Sequence, residues 1–335
     1  MTLPTSRAVH VDQPLTNISI AFLQNASNFV ASQVFPNLPV QKQSDLYYVF
    51  DRGYFNRDEA RKRAPGTEAA KVGFDLETAS YFADVWAIKH VIPDQVAANA
   101  DAVISLERAA AELVTHKLLI RREKDWASSY FTSGVWGTDV TGVADSTAGP
   151  GTDEVVQWSD QTSGDPIGNV RSAKTDLMES TGFMPNTMVM SQRVLDALVD
   201  HPDIVDRIKY SGGVGPSNPA ITTEQALGQL FGIPRILVMR GIENTAAEGD
   251  TNVHSFIGGK NALLCYAAPT PGVMTPSAGY TFSWQGYLNQ TNTFGMATKR
   301  RYRDEIEATE VEGALAFDHK MVAAEMGLLW SDIVA

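Results

Sequence analysis

The run Gly258-Gly259-Lys260-Asn261 has the glycines and lysine of a phosphate-cradling loop. That chemistry also needs a glycine where His254 stands and a hydroxyl where Asn261 stands, so neither the backbone cradle nor the magnesium ligand is complete. Gly213-Val214-Gly215 opens a dinucleotide fingerprint, but Asn218 occupies its third glycine position. The histidines His10, His90, His116, His201, His254 and His319 fall singly, with no HExxH pair to hold zinc. Cys265 is the single cysteine, which excludes an internal disulfide and a cysteine metal cluster. It lies in the apolar run Ala262–Tyr266, where a thiol is inert. Glu305, Glu307, Glu310 and Glu312 would serve glycoside hydrolysis only if the fold paired two of them at a set separation. Charged residues on one strand face account for them more simply. No constellation supports catalysis, and no cofactor site is expected.

The elements carrying these residues are more telling. Asp101–Tyr130 has helical spacing at Leu106, Ala110, Leu113, Leu118, Ile120 and Trp126, and no Gly or Pro occurs from Asp101 to Ser133. With Asp101 as N-cap and Gly134 as stop, it predicts one helix ~45 Å long at about 1.5 Å per residue. Such a helix would be a spine to which separate lobes attach. Pro4, Pro14, Pro36 and Pro39 break residues 1–45 into an arm. Its Leu15–Phe35 stretch carries Phe22, Phe29 and Phe35, apolar groups that need cover from another subunit or from the chain's own body. Leu46–Phe50 and Tyr81–Ile92 read as strands around the polar tip 56–66, which holds Arg61, Lys62 and Arg63. A two-stranded ribbon of this kind is marginal in water without outside support.

Residues 134–164 read as a loose stretch anchored by Trp136 and Trp158, with a loop at 144–151. Residues 165–270 read as an α/β lobe. Its helices are expected at Pro166–Thr181, Gln192–Asp200, Asp203–Tyr210 and from Thr222 or Thr223 to Leu230. Buried strands are expected at 187–190, 236–239 and 262–266. Residues 271–335 read mainly as strands, with Glu310–Ala324 returning to the spine.

The net charge of −12 over 335 residues argues against a protein that coats DNA. Basic residues cluster only locally, at Arg61–Arg63 and Lys299–Arg303. No apolar run reaches the ~20 residues of a membrane span. The first residues lack the order of a signal peptide, so a cytoplasmic origin is expected.

Arm, charged ribbon, spine, α/β lobe and returning strands, in that order, resemble the major capsid proteins of tailed bacteriophages. That fold is also found in encapsulins and herpesvirus capsid floors. Val34-Phe35-Pro36-Asn37-Leu38-Pro39-Val40, Arg63-Ala64-Pro65-Gly66-Thr67-Glu68 and Leu118–Trp126 carry the resemblance, which spans essentially the whole chain. It implies an α+β capsid fold divided into an N-terminal arm (1–45), an extended loop (46–92), a peripheral domain (93–164 and 271–335) and an axial domain (165–270). It further implies hexamers and pentamers of this chain in an icosahedral head around double-stranded DNA held without sequence-specific contacts. Catalysis, cofactor and membrane have no place in it. A portal protein, a separate scaffolding protein and in some cases a decoration protein are the implied partners. The implied location is the virion, with assembly in the host cytoplasm. No cleavable scaffolding segment is recognised here. Phe22, Phe29, Phe35, Arg61, Lys62, Arg63, Glu305, Glu307 and Glu310 become candidates for contact between subunits, with the tip cations facing the acidic strand of a neighbour. Lys71 sits where some relatives form an isopeptide cross-link, but nothing marks a partner asparagine, so no cross-link is expected. An encapsulin is the alternative, disfavoured by the long broken arm; an α/β enzyme is the more distant one.

Overall fold

The computed structural model describes residues 24–335 apart from 51–52, 54–55, 74, 100–104, 147–148, 212–222, 273–274 and 287–295. The arm ends in a short helix, α1 (Ala31–Val34), and strand β1 (Asn37–Val40). Pro39 confines β1 to a sheet edge, because proline cannot donate to a second neighbour. Strands β2 (Ser44–Phe50) and β3 (Leu76–Phe82) form the ribbon, paired from Ser44 with Phe82 to Phe50 with Leu76. The return stretch expected to run from Tyr81 to Ile92 is instead two strands. Strand β4 (Asp84–Pro93) leaves the ribbon and pairs with a later strand, β14 (Ala308–Met321). Tyr81 faces inward on β3, while Trp86 and Ile88 face inward on β4. An unbroken strand keeps one parity on one face, so the switch from odd to even requires the break at buried Ala83.

Helix α2 (Asp94–Ala98) follows, then the spine α3 (Leu106–Tyr130). The spine starts later than expected. Ser105 is its N-cap and Asp101 lies outside the described residues. It also stops at Phe131, before Gly134. At about 1.5 Å per residue it is ~37 Å long. Its buried stripe follows four-residue steps, Ala110, Val114, Leu118, Arg122 and Trp126. Leu113, expected inside, is off that row and exposed.

Residues 134–164 are less loose than expected, since they supply β5 (Thr138–Val143) and β6 (Glu154–Val156). Trp136 and Trp158 are buried anchors, as expected. Helix α4 (Pro166–Thr181) has the predicted limits, because both caps are local. The Asp165 side chain accepts from Gly168 N–H at 2.7 Å, and Gly182 takes φ +78. Strand β7 (Thr187–Ser191), α5 (Gln192–Val199), α6 (Pro202–Ser211), α7 (Glu224–Phe231) and β8 (Arg235–Met239) follow. The hairpin β9 (Ile242–Asn244) and β10 (His254–Phe256) precedes β11 (Ala262–Cys265), β12 (Gly279–Trp284), β13 (Met296–Arg303), β14 and β15 (Gly327–Ser331).

Two main sheets result. The lobe sheet has the order β6-β5-β15-β11-β7-β8. The last strand, β15, therefore sits in its interior and not with the other C-terminal strands. Met188, Met190 and Leu264 face helices α4–α7, whereas Val189, Leu263 and Leu329 face the arm and the end of the spine. Both faces are covered, which explains why these strands are continuously apolar. In the second sheet β14 pairs with β4 on one side and with β13 and β12 on the other, and β1 lies outside β12. As expected, β14 returns to the spine: a Cβ on Gly313 would lie 2.3 Å from Val114 Cγ1.

Gly142 on β5 tests how tightly the C-terminal residues close the lobe. A Cβ there would lie 2.4 Å from the Asp332 carbonyl oxygen and 2.6 Å from Ile333 Cα, both backbone atoms. Gly142→Ala is expected to destabilise the subunit by about 3 kcal/mol, the upper range for overpacking. A lowered denaturation midpoint at unchanged slope would show this.

Candidate assembly surfaces

The ribbon has two unlike faces. Residues directly opposite in an antiparallel pair share a face. One face carries Tyr47 and Tyr81, which rest on Phe282 of β12. Tyr81 stacks on that ring at 4.4 Å with the planes 5° apart, and Tyr47 lies 5.3 Å away. This is how the subunit itself holds the ribbon. The other face presents Leu46, Tyr48, Leu76 and Phe82, with exposures of 63, 62, 51 and 54%. Four large apolar side chains on one exposed face call for a partner surface. The sequence signal for them was the alternation within Leu46–Phe50; the pairing register decides which set points out.

The tip beyond the ribbon is exposed and irregular over residues 56–73. Its turn is built at Ala64–Thr67, where Thr67 N–H and Oγ1 both donate to the Ala64 carbonyl, at 3.2 and 2.8 Å. Gly66, at φ +80, supplies the left-handed step. Arg63 Nε donates to the Thr67 carbonyl, and Arg61 and Lys62 project into solvent.

The acidic strand proposed to receive these cations is largely neutralised by its own chain. Glu310 is buried and pairs with Lys89 at 2.9 Å, a hydrogen bond that holds its carboxyl below the usual range. Glu312 meets Arg301 at 3.4 Å and Glu305 meets Arg303 at 3.2 Å. The basic run 299–303 is β13, placed beside β14 so that Arg301 lies opposite Glu310 and Lys299 opposite Glu312. Glu310 is therefore not a free acceptor and Glu305 is already paired. Glu307 is exposed, at φ 43 after a 3-10 turn.

Of the two covers expected for the arm, another subunit or the chain's own body, its described residues take the second. Phe22 lies outside the described residues. Phe29 and Phe35 are buried in their own subunit, at 4 and 0% exposure, and offer no surface to a neighbour. Phe35 meets Trp126, Tyr130 and Trp136 with ring centroids 5.8, 5.0 and 6.3 Å away. Phe29 meets His116 edge-on. The backbone is tied down as firmly. Gln24 exchanges two hydrogen bonds with the Ile242 backbone, at 2.7 and 2.8 Å. Arg235 donates to the Gln33 carbonyl at 3.0 Å. Glu123 of the spine accepts from Val30 N–H at 2.9 Å and from Ala31 N–H at 2.8 Å. Burial pushes its carboxyl up to about 7. His319, pressed against Phe35, is driven down to about 3 by burial. Thr281 Oγ1 donates to the Phe35 carbonyl and lies 2.9 Å from His319 Nδ1, which ties the ring to the same junction. The sequence showed the arm's apolar content, but the residues that receive it lie some ninety or more positions away, as with Glu123 and Val30.

Among the described residues no group of three His, Cys, Asp or Glu is placed to hold a metal ion, and no helix is long and apolar enough to cross a membrane. No family model matches the chain. The major capsid protein of Burkholderia phage BcepMu is 24% identical over 283 residues, 82% of this chain and 84% of that protein. Among solved structures, a phage-related protein from Bordetella bronchiseptica superposes with a TM-score of 0.66 at 20% identity, covering 96% of this chain and 97% of that one. The mature capsid of bacteriophage PhiM1 gives 0.60 at 10% identity, covering 94 and 89%. The chain has the phage major capsid fold. In this capsid fold the α+β class, the spine and the strands returning to it stand as expected. Among the described residues the ribbon's outward face is one apolar surface left without cover by its own subunit.

Proposed function

We infer that this chain is a phage major capsid protein, a structural subunit that assembles with copies of itself into a shell. The observation that carries this is similarity along most of both chains to a phage major capsid protein, joined to the phage capsid fold over nearly the whole length. The uncovered apolar face of the ribbon supports it physically, since repeated subunits bury such faces against one another. Hexamers and pentamers in a closed icosahedral head around double-stranded DNA follow from the resemblance, as do a scaffolding protein, a portal, a decoration protein and assembly in the host cytoplasm. The division into arm, extended loop, peripheral domain and axial domain rests on it too. We place the ribbon tip, with Arg61, Lys62 and Arg63, at an acidic surface of an adjacent subunit, where Glu307 is the remaining candidate of the original set.

Electron microscopy of the purified full chain tests the inference. Closed shells with five- and six-fold clusters of subunits are the expected result. Single subunits that stay dispersed at high concentration would overturn it.

A further inference from the structure

We propose that the outer edge of β4 is a docking edge, on which a second copy of this chain lays its own β4, antiparallel, about a two-fold axis at Ile88. Among the described residues β4 pairs with β14 alone, so its other edge is open from Asp84 to Pro93. The register decides which groups that edge presents. Asp94 N–H donates to the Glu307 carbonyl at 2.9 Å, one step beyond the opposed pair Pro93 and Ala308. Bonded and non-bonded pairs alternate along an antiparallel ladder, so the even-numbered residues of β4 bond to β14. Val85, Ala87, Lys89 and Val91 therefore turn their N–H and C=O groups outward. Pro93, which has no N–H, falls in the outward set, where it breaks no bond to β14. Folded chains usually guard such an edge with charge, proline or a bulge. The other long edge of this sheet, β13, is guarded by Lys299, Arg300, Arg301 and Arg303, and the short β1 holds Pro39. Strand β4 keeps an unbroken register over its whole length, and its Lys89 is already paired with Glu310 at 2.9 Å.

The occupant follows from matching this edge to itself. In a pair centred on Ile88, Val85 stands opposite Val91 of the second copy and Ala87 opposite Lys89. All four outward residues are then used, with about eight backbone hydrogen bonds between the copies. Lys89 meets no like charge, and Asp84 stands opposite Ile92. Centring the pair on Lys89 would set two ammonium groups face to face, which is destabilising. Centring it on Ala87 would call on Ala83, whose N–H is already given to the Gln43 carbonyl at 2.8 Å. Opposed residues share a face, and with Ile88 at the axis odd-numbered residues oppose odd-numbered ones. Both copies thus turn the same side of the sheet the same way, as neighbours in one shell wall must. Such a two-fold contact is isologous and closes on itself, so it does not grow into fibres.

The proposal rests on the chain being a subunit that assembles with its copies, and amide hydrogen exchange on the full chain, free and assembled, tests the two separately. In the free subunit the Trp86, Ile88 and His90 amides are protected by β14. The Val85, Ala87, Lys89 and Val91 amides exchange freely there and should slow by about a hundredfold on assembly. A cysteine at the axis gives a second readout. Opposed residues of a non-bonded pair have Cα atoms about 4.5 Å apart, within disulfide reach. Ile88→Cys should yield disulfide-linked dimers on mild oxidation, and Val85→Cys, far from its own copy, should not. The native Cys265 is fully buried and stays silent. Assembled shells whose four outward amides exchange as in the free subunit would overturn the proposal and leave the shell inference standing. Dimers from Val85→Cys in place of Ile88→Cys would overturn it too, and no assembly at high concentration would overturn both. If Ile88→Cys does not fold, exchange in the wild type decides by itself.

Discussion

Phe35→Ala is expected to destabilise the isolated subunit by about 3–5 kcal/mol, the range for removing a buried phenylalanine ring. The ring is fully buried between Trp126, Tyr130, Trp136 and His319, and it marks where arm, spine and lobe sheet meet. The surroundings are shaped to it. Gly279 has no side chain because a Cβ would lie 2.5 Å from the Phe35 ring carbons. Collapse into the vacated space is limited by the large, interlocked rings around it, which places the loss at the upper end. Chemical denaturation of the unassembled subunit checks this. A contact residue between subunits would behave in the opposite way, with unchanged subunit stability and weakened assembly. The same substitution should also open His319 to water, so less of the subunit's stability is lost on acidification below 6.5.

What the sequence revealed depended on how local the cause was. Helix α4 was legible to the residue because Asp165, Pro166 and Gly182 fix its ends within one turn. Helices α5 and α7 were legible through Ser191, Thr223 and Gly232 in the same way. The spine's existence was plain from its length and lack of breakers, but its start was not, since Asp101 and Ser105 are both good caps. The break at Ala83 could have been found from the shift of the inward positions from Tyr81 to Trp86 and Ile88. Pairings across the chain were hidden. Nothing in Gly327–Ser331 says that it will enter the lobe sheet between β5 and β11. The pairing of the basic run 299–303 with β14 is local, a hairpin closed at 304–307, but that turn carries no glycine or proline to mark it. The apolar arm was correctly read as needing cover. That the cover is its own spine was settled by Glu123 and Phe35, through contacts no local pattern encodes.

Leu46→Thr combined with Tyr48→Thr is expected to stop shell formation while leaving the subunit folded. Both side chains are more than half exposed on the outward ribbon face, so the subunit should lose less than about 0.5 kcal/mol. Threonine keeps the β preference of the strand, and Tyr47 and Tyr81 still hold the ribbon to Phe282. Burying each lost side chain against a neighbour would contribute about 1.5–3 kcal/mol, so the pair removes about 3–6 kcal/mol from every contact. That is a factor of about 10² to 10⁴ in each association step, multiplied around a closed shell. Reversing the tip charges, with Arg61, Lys62 and Arg63 changed to Glu, should have a smaller, salt-sensitive effect, because exposed ionic contacts set rate and geometry more than affinity. Sedimentation and electron microscopy separate the two cases. If the threonine pair assembles as the wild type does, the outward face is not the surface that joins the subunits. If the charge reversal alone abolishes shells at all salt concentrations, the tip is the principal contact in its place.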